Sequence, residues 1–271
     1  MLHPARSRIA AGWVAASLLV LAGSVQAQPA AALAFAVPFT VFAQDGKTKL
    51  YRGEYRIERT GAAIAESQRY QTADGKLAKL DESVYDTERR RPVSFVSANY
   101  MTGDVFRLAV KGDALTWRLE DSAGGVKSSS EDTLPAGTFI WPNLVYVLAQ
   151  EWEPIARGQP VSVDLYIVSR KLKVGLDLKP DGKVTVGGVP GIRVKIEPSS
   201  WVFRQLADDA WVTLAVEPPH HLLRFEGKGA IKGPNGDDPV TQVVFDWSLA
   251  KAAVPLCASG RCPEVARFSK P

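Results

Sequence analysis

Val161-Ser162-Val163-Asp164-Leu165-Tyr166-Ile167, followed after a short break by Leu172-Lys173-Val174-Gly175-Leu176-Asp177-Leu178, decides the fold. Successive side chains of a strand point to opposite sides, so an apolar residue at every second position makes one apolar face and one wet face. In the first run Val161, Val163, Leu165 and Ile167 form the apolar set, while Ser162, Asp164 and Tyr166 fall on the other side. Leu172, Val174, Leu176 and Leu178 repeat the pattern in the second run. Further along, Ile192, Val194 and Ile196 alternate with Arg193, Lys195 and Glu197, and Val243, Phe245 and Trp247 follow the same period. Turn chemistry separates such runs: Asp74-Gly75, Gly112-Asp113, Gly124-Gly125, Asp181-Gly182, Asp208-Asp209 and Asn235-Gly236. Gly, Asn and Asp tolerate the positive φ that tight reversals need. Frequent short strands with turns between them predict a mainly β chain, a single antiparallel meander curling into a sandwich or half-open barrel.

One segment departs from this period. Ile140, Leu144, Val147 and Leu148 follow helical spacing, with Pro142 in the first turn and Pro154 beyond the end. Proline is accepted at the first helical position and ends a helix further on. A single short helix near 140–149 is therefore expected, either plugging one opening of the curved sheet or crossing between its halves.

The N-terminus reads as an export signal. Arg6 and Arg8 precede an apolar run from Ile9 to Ala22, and small residues lead to Val25-Gln26-Ala27. This is the layout of a cleaved signal peptide over 1–27, with cleavage after Ala27 and a periplasmic destination. Ser24 stands where a lipoprotein signal needs its cysteine. No later stretch reaches the roughly 18 apolar residues of a membrane-spanning helix, so no transmembrane anchor is expected after cleavage. Short strands with charged faces, as at Lys171, Lys173, Asp177 and Lys179, argue against a membrane barrel. The expected organisation is a flexible lead-in over 28–38, one antiparallel β domain over 39–250, and a C-terminal tail over 251–271.

Removing Arg6 and Arg8 with the signal leaves 31 of the 33 basic residues against 29 acidic ones. That near balance excludes nucleic acid as an electrostatic partner. Arg89-Arg90-Arg91, just before Pro92, reads as a solvated turn. Cys257 and Cys262 are the two cysteines of the chain, and in an oxidising compartment they are expected to close a small disulfide loop in the tail.

Searching for reaction chemistry yields little. There is no Gly-x-Ser-x-Gly elbow and no His-Glu-x-x-His motif. His220 and His221 follow Pro218-Pro219 and are adjacent, so a regular strand would send their rings to opposite faces. The acidic neighbours Asp81-Glu82 and Asp237-Asp238 read as solvated positions. Gly227, Gly229 and Gly233 are followed by Pro234-Asn235-Gly236, a turn rather than the helix a phosphate loop needs. No catalytic residue, metal site or cofactor is therefore assigned. Aromatic residues remain, since tryptophan pairs a large apolar ring with an N–H that needs a partner and so suits cavity walls. Trp117, Trp141, Trp201, Trp211 and Trp247 are the candidate ligand-binding residues.

Tyr51-Arg52-Gly53-Glu54-Tyr55, Asp86-Thr87 with Pro92 after it, Gly188-Val189-Pro190-Gly191, and Leu222-Leu223-Arg224-Phe225-Glu226-Gly227 resemble a family of exported, β-rich bacterial proteins built around a domain of unknown function. The resemblance runs from Tyr51 to Trp247. More distantly, the layout is similar to the periplasmic lipoprotein carriers of the LolA and LolB type, whose half-open barrels hold acyl chains; the single helix here departs from their several. The expectation is a non-enzymatic periplasmic protein whose curved sheet binds a lipid-like, apolar or amphipathic ligand. An envelope assembly or scaffolding protein acting on a protein partner is the alternative, and a hydrolase with an unrecognised carboxylate and histidine site is the third.

Overall fold

The computed structural model describes residues 33–205, 207–233 and 235–253. The signal segment and Cys257 and Cys262 lie outside them. The first half of the chain is eight strands: β1 (Leu33–Ala43), β2 (Lys49–Thr60), β3 (Ala63–Gln71), β4 (Leu77–Asp86), β5 (Arg91–Asn99), β6 (Asp104–Lys111), β7 (Ala114–Glu120) and β8 (Val126–Thr133). A short β9 (Thr138–Phe139) and the helices α1 (Leu144–Gln150) and α2 (Trp152–Ala156) occupy the middle. The second half holds β10 (Val161–Ile167), β11 (Leu172–Val186), β12 (Val189–Pro198), α3 (Trp201–Arg204), β13 (Ala210–Ala215), β14 (Leu222–Gly227), β15 (Thr241–Phe245) and β16 (Lys251–Ala252).

All strands belong to one sheet, ordered β8-β7-β6-β5-β4-β3-β2-β1-β15-β14-β13-β12-β11-β10-β9, with β16 also on β1. Two meanders are thus zipped together where Phe39 of β1 faces Phe245 of β15. Pairing is antiparallel except for the short parallel contact of β9 with β10. Among the described residues the sheet curls without a closing ladder, since β8 and β9 form its two ends. Side chains stitch the seam instead: the Tyr166 hydroxyl on β10 donates to the Asp132 carboxylate on β8, and Lys171 Nζ donates to the Glu131 carbonyl at 3.1 Å. This is the half-open barrel that the period-two pattern predicts.

Its main core is the apolar face of that pattern. Val174, Leu176, Leu178, Ile192, Val194, Ile196, Val243 and Phe245 are all buried in one cluster with Leu144, Leu148 and Ile155 of the helices. Full burial of each such aliphatic chain is worth about 1.5–3 kcal/mol, which is what fixes the register of the second meander. The helical segment follows a 3-10 turn at Trp141–Asn143 with Pro142 in its first turn, as expected. Pro154 does not end the segment, because a second short helix, α2, begins at Trp152 and takes the proline in its own first turn.

Several expectations need correction. β1 starts at Leu33, so residues 33–38, read as lead-in, are strand. Asp181-Gly182 is no hairpin; it is a bulge within β11, where the register shifts between Pro180 and Lys183. The reversal comes at Gly187-Gly188, with φ of 56° and 84°, the doubly left-handed conformation of a two-residue hairpin that glycine adopts without a Cβ penalty. Tyr166, placed on the wet face by alternation, is buried with Leu108, Leu115, Leu134 and Ile140. The cause is the curl: the side of β10 that would be wet in an open sheet is covered here by the far end of the first meander. Arg89, Arg90 and Arg91 do form a turn and strand start, each paired with an acid: Asp86, Glu151 and Asp113.

Candidate functional site

The concave face of the first meander is built in rows, because residues in register across neighbouring strands stand side by side about 4.8 Å apart. One row runs Tyr55, Gln68, Asp81, Ser97, Phe106, Leu119 and Ser128 from β2 to β8. The next runs Ile57, Glu66, Ser83, Phe95, Leu108, Trp117 and Ser130. Both change character along their length: hydrogen-bonding side chains on β3 and β4, with Ser97 on β5, give way to aromatic and aliphatic ones across β5 to β7, and serines return on β8. Opposite stand apolar residues of the helical segment and second meander, among them Ile140, Leu144, Leu165, Ile167 and Phe225. Between the two walls lies a cavity of about 830 Å3. Small-molecule sites run from about 300 to 1,000 Å3, so this one is large enough for an extended amphiphile.

The polar half is internally wired. Lys79 Nζ lies 2.8 Å from Asp81 Oδ2 and donates to the Ala230 carbonyl at 2.7 Å. Asn99 Nδ2 donates to the Lys232 carbonyl at 3.2 Å, so the loop between β14 and β15 is fastened over β4 and β5 at the cavity mouth. Deeper in, the buried Glu66 carboxylate accepts from the Tyr55 hydroxyl and, at 3.1 Å, from Ser83 Oγ. Burial pushes the Glu66 carboxyl up, against the opposing pull of the Tyr146, Tyr55 and Ser83 hydroxyls. Tyr146 of α1 stacks on Tyr85 of β4, centroids 4.9 Å apart, so the helix is seated against this polar floor. Asp104 is held low by the hydrogen bond from Lys127, 2.6 Å away.

Of the five tryptophans expected in the wall, two line the cavity. Trp117 stacks on Phe106 at 5.8 Å, and Trp141 meets Phe225 edge-on at 6.2 Å. The other three stand elsewhere. Trp201 on α3 is 67% exposed. Trp211 lies on the polar face of β13 beneath the Arg193 guanidinium, 4.7 Å from its ring. Trp247 donates its ring N–H to the Leu222 carbonyl at 2.7 Å and packs on His221. Composition and alternation missed Gln68, Lys79, Asp81 and Ser97, because polar residues on alternate positions look like a solvated face. Asp81, read as solvated, is part of the cavity wall.

His220 and His221 do point apart. His220 stacks on Trp152 of α2 at 4.0 Å, and His221 on Trp247 at 3.7 Å. They clamp the turn before β14 to the helix on one side and to the chain after β15 on the other. Among the described residues no group of three or more His, Cys, Asp or Glu is placed to hold a metal ion. Burial, then the neighbouring His220, takes the His221 imidazole from 6.5 down to about 4. A folded-state value below the unfolded one contributes stability above pH 6.5 that is lost as pH falls toward 4, because only the unfolded chain gains the proton in that window. The ring keeps some exposure, which reduces the effect to about 1–2 kcal/mol. Glu66 works with the opposite sign, its contribution being lost as pH rises above 4.5. Urea unfolding at pH 7.5 and 4.5 should therefore show a drop in stability across this window that is smaller by about 1–2 kcal/mol in His221→Phe than in the unsubstituted protein. An equal drop in both would show that the ring does not titrate this way.

The architecture is thus a half-open antiparallel barrel with an amphipathic cavity and a helical segment packed against both meanders. It is similar to a β-barrel-like protein of the domain of unknown function DUF1849 from Brucella abortus, with a TM-score of 0.47 and 9% identity over 82% of this chain and 98% of that chain. It is also similar to a candidate exported protein with a YmcC-like fold from Bacteroides fragilis, with a TM-score of 0.32 and 10% identity over 78% of this chain and 93% of that one. No protein-family model and no curated protein sequence matches the chain. Among the described residues no helix is long and apolar enough to cross a membrane.

Proposed function

We propose that the protein is exported to the periplasm and there holds an amphipathic, lipid-like ligand in the cavity of its half-open barrel, without chemistry of its own. The observation that carries this reading is the gradient along the two rows, from Gln68, Asp81 and Ser97 to Phe106 and Leu119, and from Glu66 and Ser83 to Phe95, Leu108 and Trp117. A wall with a hydrogen-bonding half and an apolar half suits a molecule divided in the same way. Arg6, Arg8 and the apolar run after them support export, with residues 1–27 removed, and that route supports a Cys257 to Cys262 disulfide in the tail. Trp117 and Trp141 are the tryptophans assigned to ligand contact.

Native mass spectrometry of the protein recovered from the envelope of its own host tests this. A bound species of amphiphile size is expected, and Ser97→Phe, which fills the middle of the cavity, should lower its occupancy at least tenfold with little change in melting temperature. Bare protein in both, together with no uptake of a fluorescent acyl probe, overturns the reading. A second reading, an envelope scaffold that adds a partner's strand to its sheet, is favoured by the exposed end strand β8. A stable cross-linked partner on a protein with an empty cavity would shift the weight to it.

A further inference from the structure

Trp201 is the most exposed of the large apolar side chains among the described residues, at 67%, and Val202 beside it is 46% exposed. The segment that carries them is tied down. Phe203, the next residue, packs against the main core. Arg204 turns back on the chain before α3, its Nε donating to the Pro198 carbonyl at 2.7 Å and its Nη2 to the Ser199 carbonyl at 2.8 Å. The Ser199 N–H donates to the Gly175 carbonyl at 2.9 Å, and Ser199 Oγ donates to Asp177 at 2.7 Å. A single apolar side chain on a surface needs no explanation. Here two adjacent ones are held out by a tip braced on β11 and β12, whose core-facing side Phe203 already takes.

The tip stands beside the cavity mouth. The bond from Ser199 to Gly175 puts α3 at the end of the barrel that carries the turn between β10 and β11, where Val168 and Ser169 line the cavity. On its other side the chain after α3 is joined to the loop between β14 and β15 by Asp208 and Lys228, 2.7 Å apart, and Gly229 and Ala230 of that loop line the cavity as well. The acids nearby are engaged: Asp164 with Lys173, Asp208 with Lys228 and Asp209 with Lys195, while Asp177 accepts from Ser162 and Ser199. Asp237 and Asp238 lie farther along the loop, where Asp237 acts on Tyr51 of β2 and Asp238 accepts from the Gly229 N–H at 2.8 Å. Arg170 and Lys171 in the turn and Lys232 in the loop are exposed, and none forms an ion pair among the described residues; Lys171 and Lys232 act on Asp132 and Asp104 from beyond contact. An apolar tip flanked by such cations suits a surface that is anionic outside and apolar beneath. Indole rings settle at the boundary between lipid tails and head groups, and basic side chains close to an anionic bilayer add to binding.

We infer that α3 docks the cavity mouth onto an anionic lipid bilayer, with Trp201 and Val202 entering its interface and Arg170, Lys171 and Lys232 meeting its head groups. The docking goes beyond the ligand-binding reading above and stands apart from it, and the test keeps the two separate. The protein without residues 1–27 is cosedimented with vesicles of phosphatidylcholine and phosphatidylglycerol in a two-to-one ratio, and with phosphatidylcholine alone. Binding to the anionic vesicles should be stronger by about threefold or more at low salt, and should weaken as salt is added. Trp201→Ser should lower the partition coefficient by about fivefold or more, and Trp201→Phe by less. Arg170→Glu should lower binding to the anionic vesicles alone. Uptake of a fluorescent acyl probe from solution should be unchanged in all three variants. No binding to either vesicle, or equal binding by Trp201→Ser and the unsubstituted protein, overturns the inference. Binding to an envelope protein in place of vesicles, lost in Trp201→Ser, overturns it in favour of a protein partner. Trp201-dependent vesicle binding by a protein that takes up no probe supports the docking and removes the ligand reading instead.

Discussion

Gly53→Ala is expected to destabilise the protein by about 3 kcal/mol, at the upper end of what overpacking in a core does. Gly53 sits in β2 between Phe39 of β1 and Tyr70 of β3 in register. The Phe39 ring lies across it and meets Tyr70 edge-on at 4.9 Å. A Cβ at position 53 would fall 2.1 Å from Phe39 Cζ and 2.4 Å from the Arg69 carbonyl oxygen. The ring could swing aside only by displacing Phe245, 5.4 Å away, at the joint of the two meanders. The carbonyl belongs to the β2–β3 ladder and has no such freedom. A domain of this size loses roughly 2–4 °C of melting temperature per kcal/mol, so calorimetry should read a fall of about 6–12 °C. The pair Gly53→Ala with Phe39→Ala should lose less than the two single losses added, because removing the ring relieves one of the two clashes. A melting temperature within 2 °C of the unsubstituted protein would show that the ring does not lie over the glycine.

The resemblance drawn on Tyr51 to Tyr55 singled out Gly53 without a physical reason; the aromatic ring above it supplies one. The same contrast holds through the fold. Where a strand buries one apolar face, as in β11 and β12, the alternation of Leu, Val and Ile placed the residues correctly, because burial and sequence period are then the same fact. In β4 they are not. Lys79, Asp81, Ser83 and Tyr85 face the interior, while Leu80 and Val84 take the other face, and Ala78, at the register shift opposite Tyr70 and Gln71, is packed in the main core. Alternation alone assigns the two faces the other way. Part of the outer face is apolar as well: Val96, Ala98 and Val105 on β5 and β6 form their own buried cluster. Only the register of β3 to β6 shows that Gln68, Asp81 and Ser97 stand in one row.

The tryptophans show the limit from the other side. Ring size and a ring N–H were sound reasons to expect aromatic walls. They do not say which face of a strand a residue takes. Trp211 lies opposite Lys195 and Glu226, among the charged residues of its sheet face, and Trp117 lies opposite Leu108 on the concave one. Trp247 continues the alternating run two residues past the end of β15, in a 3-10 turn where the strand period no longer applies.

Lys79→Met is expected to have the largest effect of any change in the cavity wall, about 3–5 kcal/mol, because it breaks a buried ion pair by removing one partner. The Lys79 and Asp81 side chains are 11% and 16% exposed and 2.8 Å apart. Asp81 Oδ1 already lacks a partner, so methionine would leave the whole carboxylate without its counter-ion. The bond from Lys79 Nζ to the Ala230 carbonyl would go as well, leaving Asn99 Nδ2 to hold the mouth loop at Lys232. Equilibrium urea unfolding should therefore give a lower midpoint at unchanged slope. Hydrogen exchange should quicken in the loop between β14 and β15 beyond what global destabilisation explains. Replacing both partners, Lys79→Met with Asp81→Leu, should recover most of the loss, since an apolar pair of similar volume needs no counter-ion. That recovery separates a charge effect from a packing one. If the double variant is as unstable as the single, the lysine's methylene stem and its hold on Ala230 matter more than its charge.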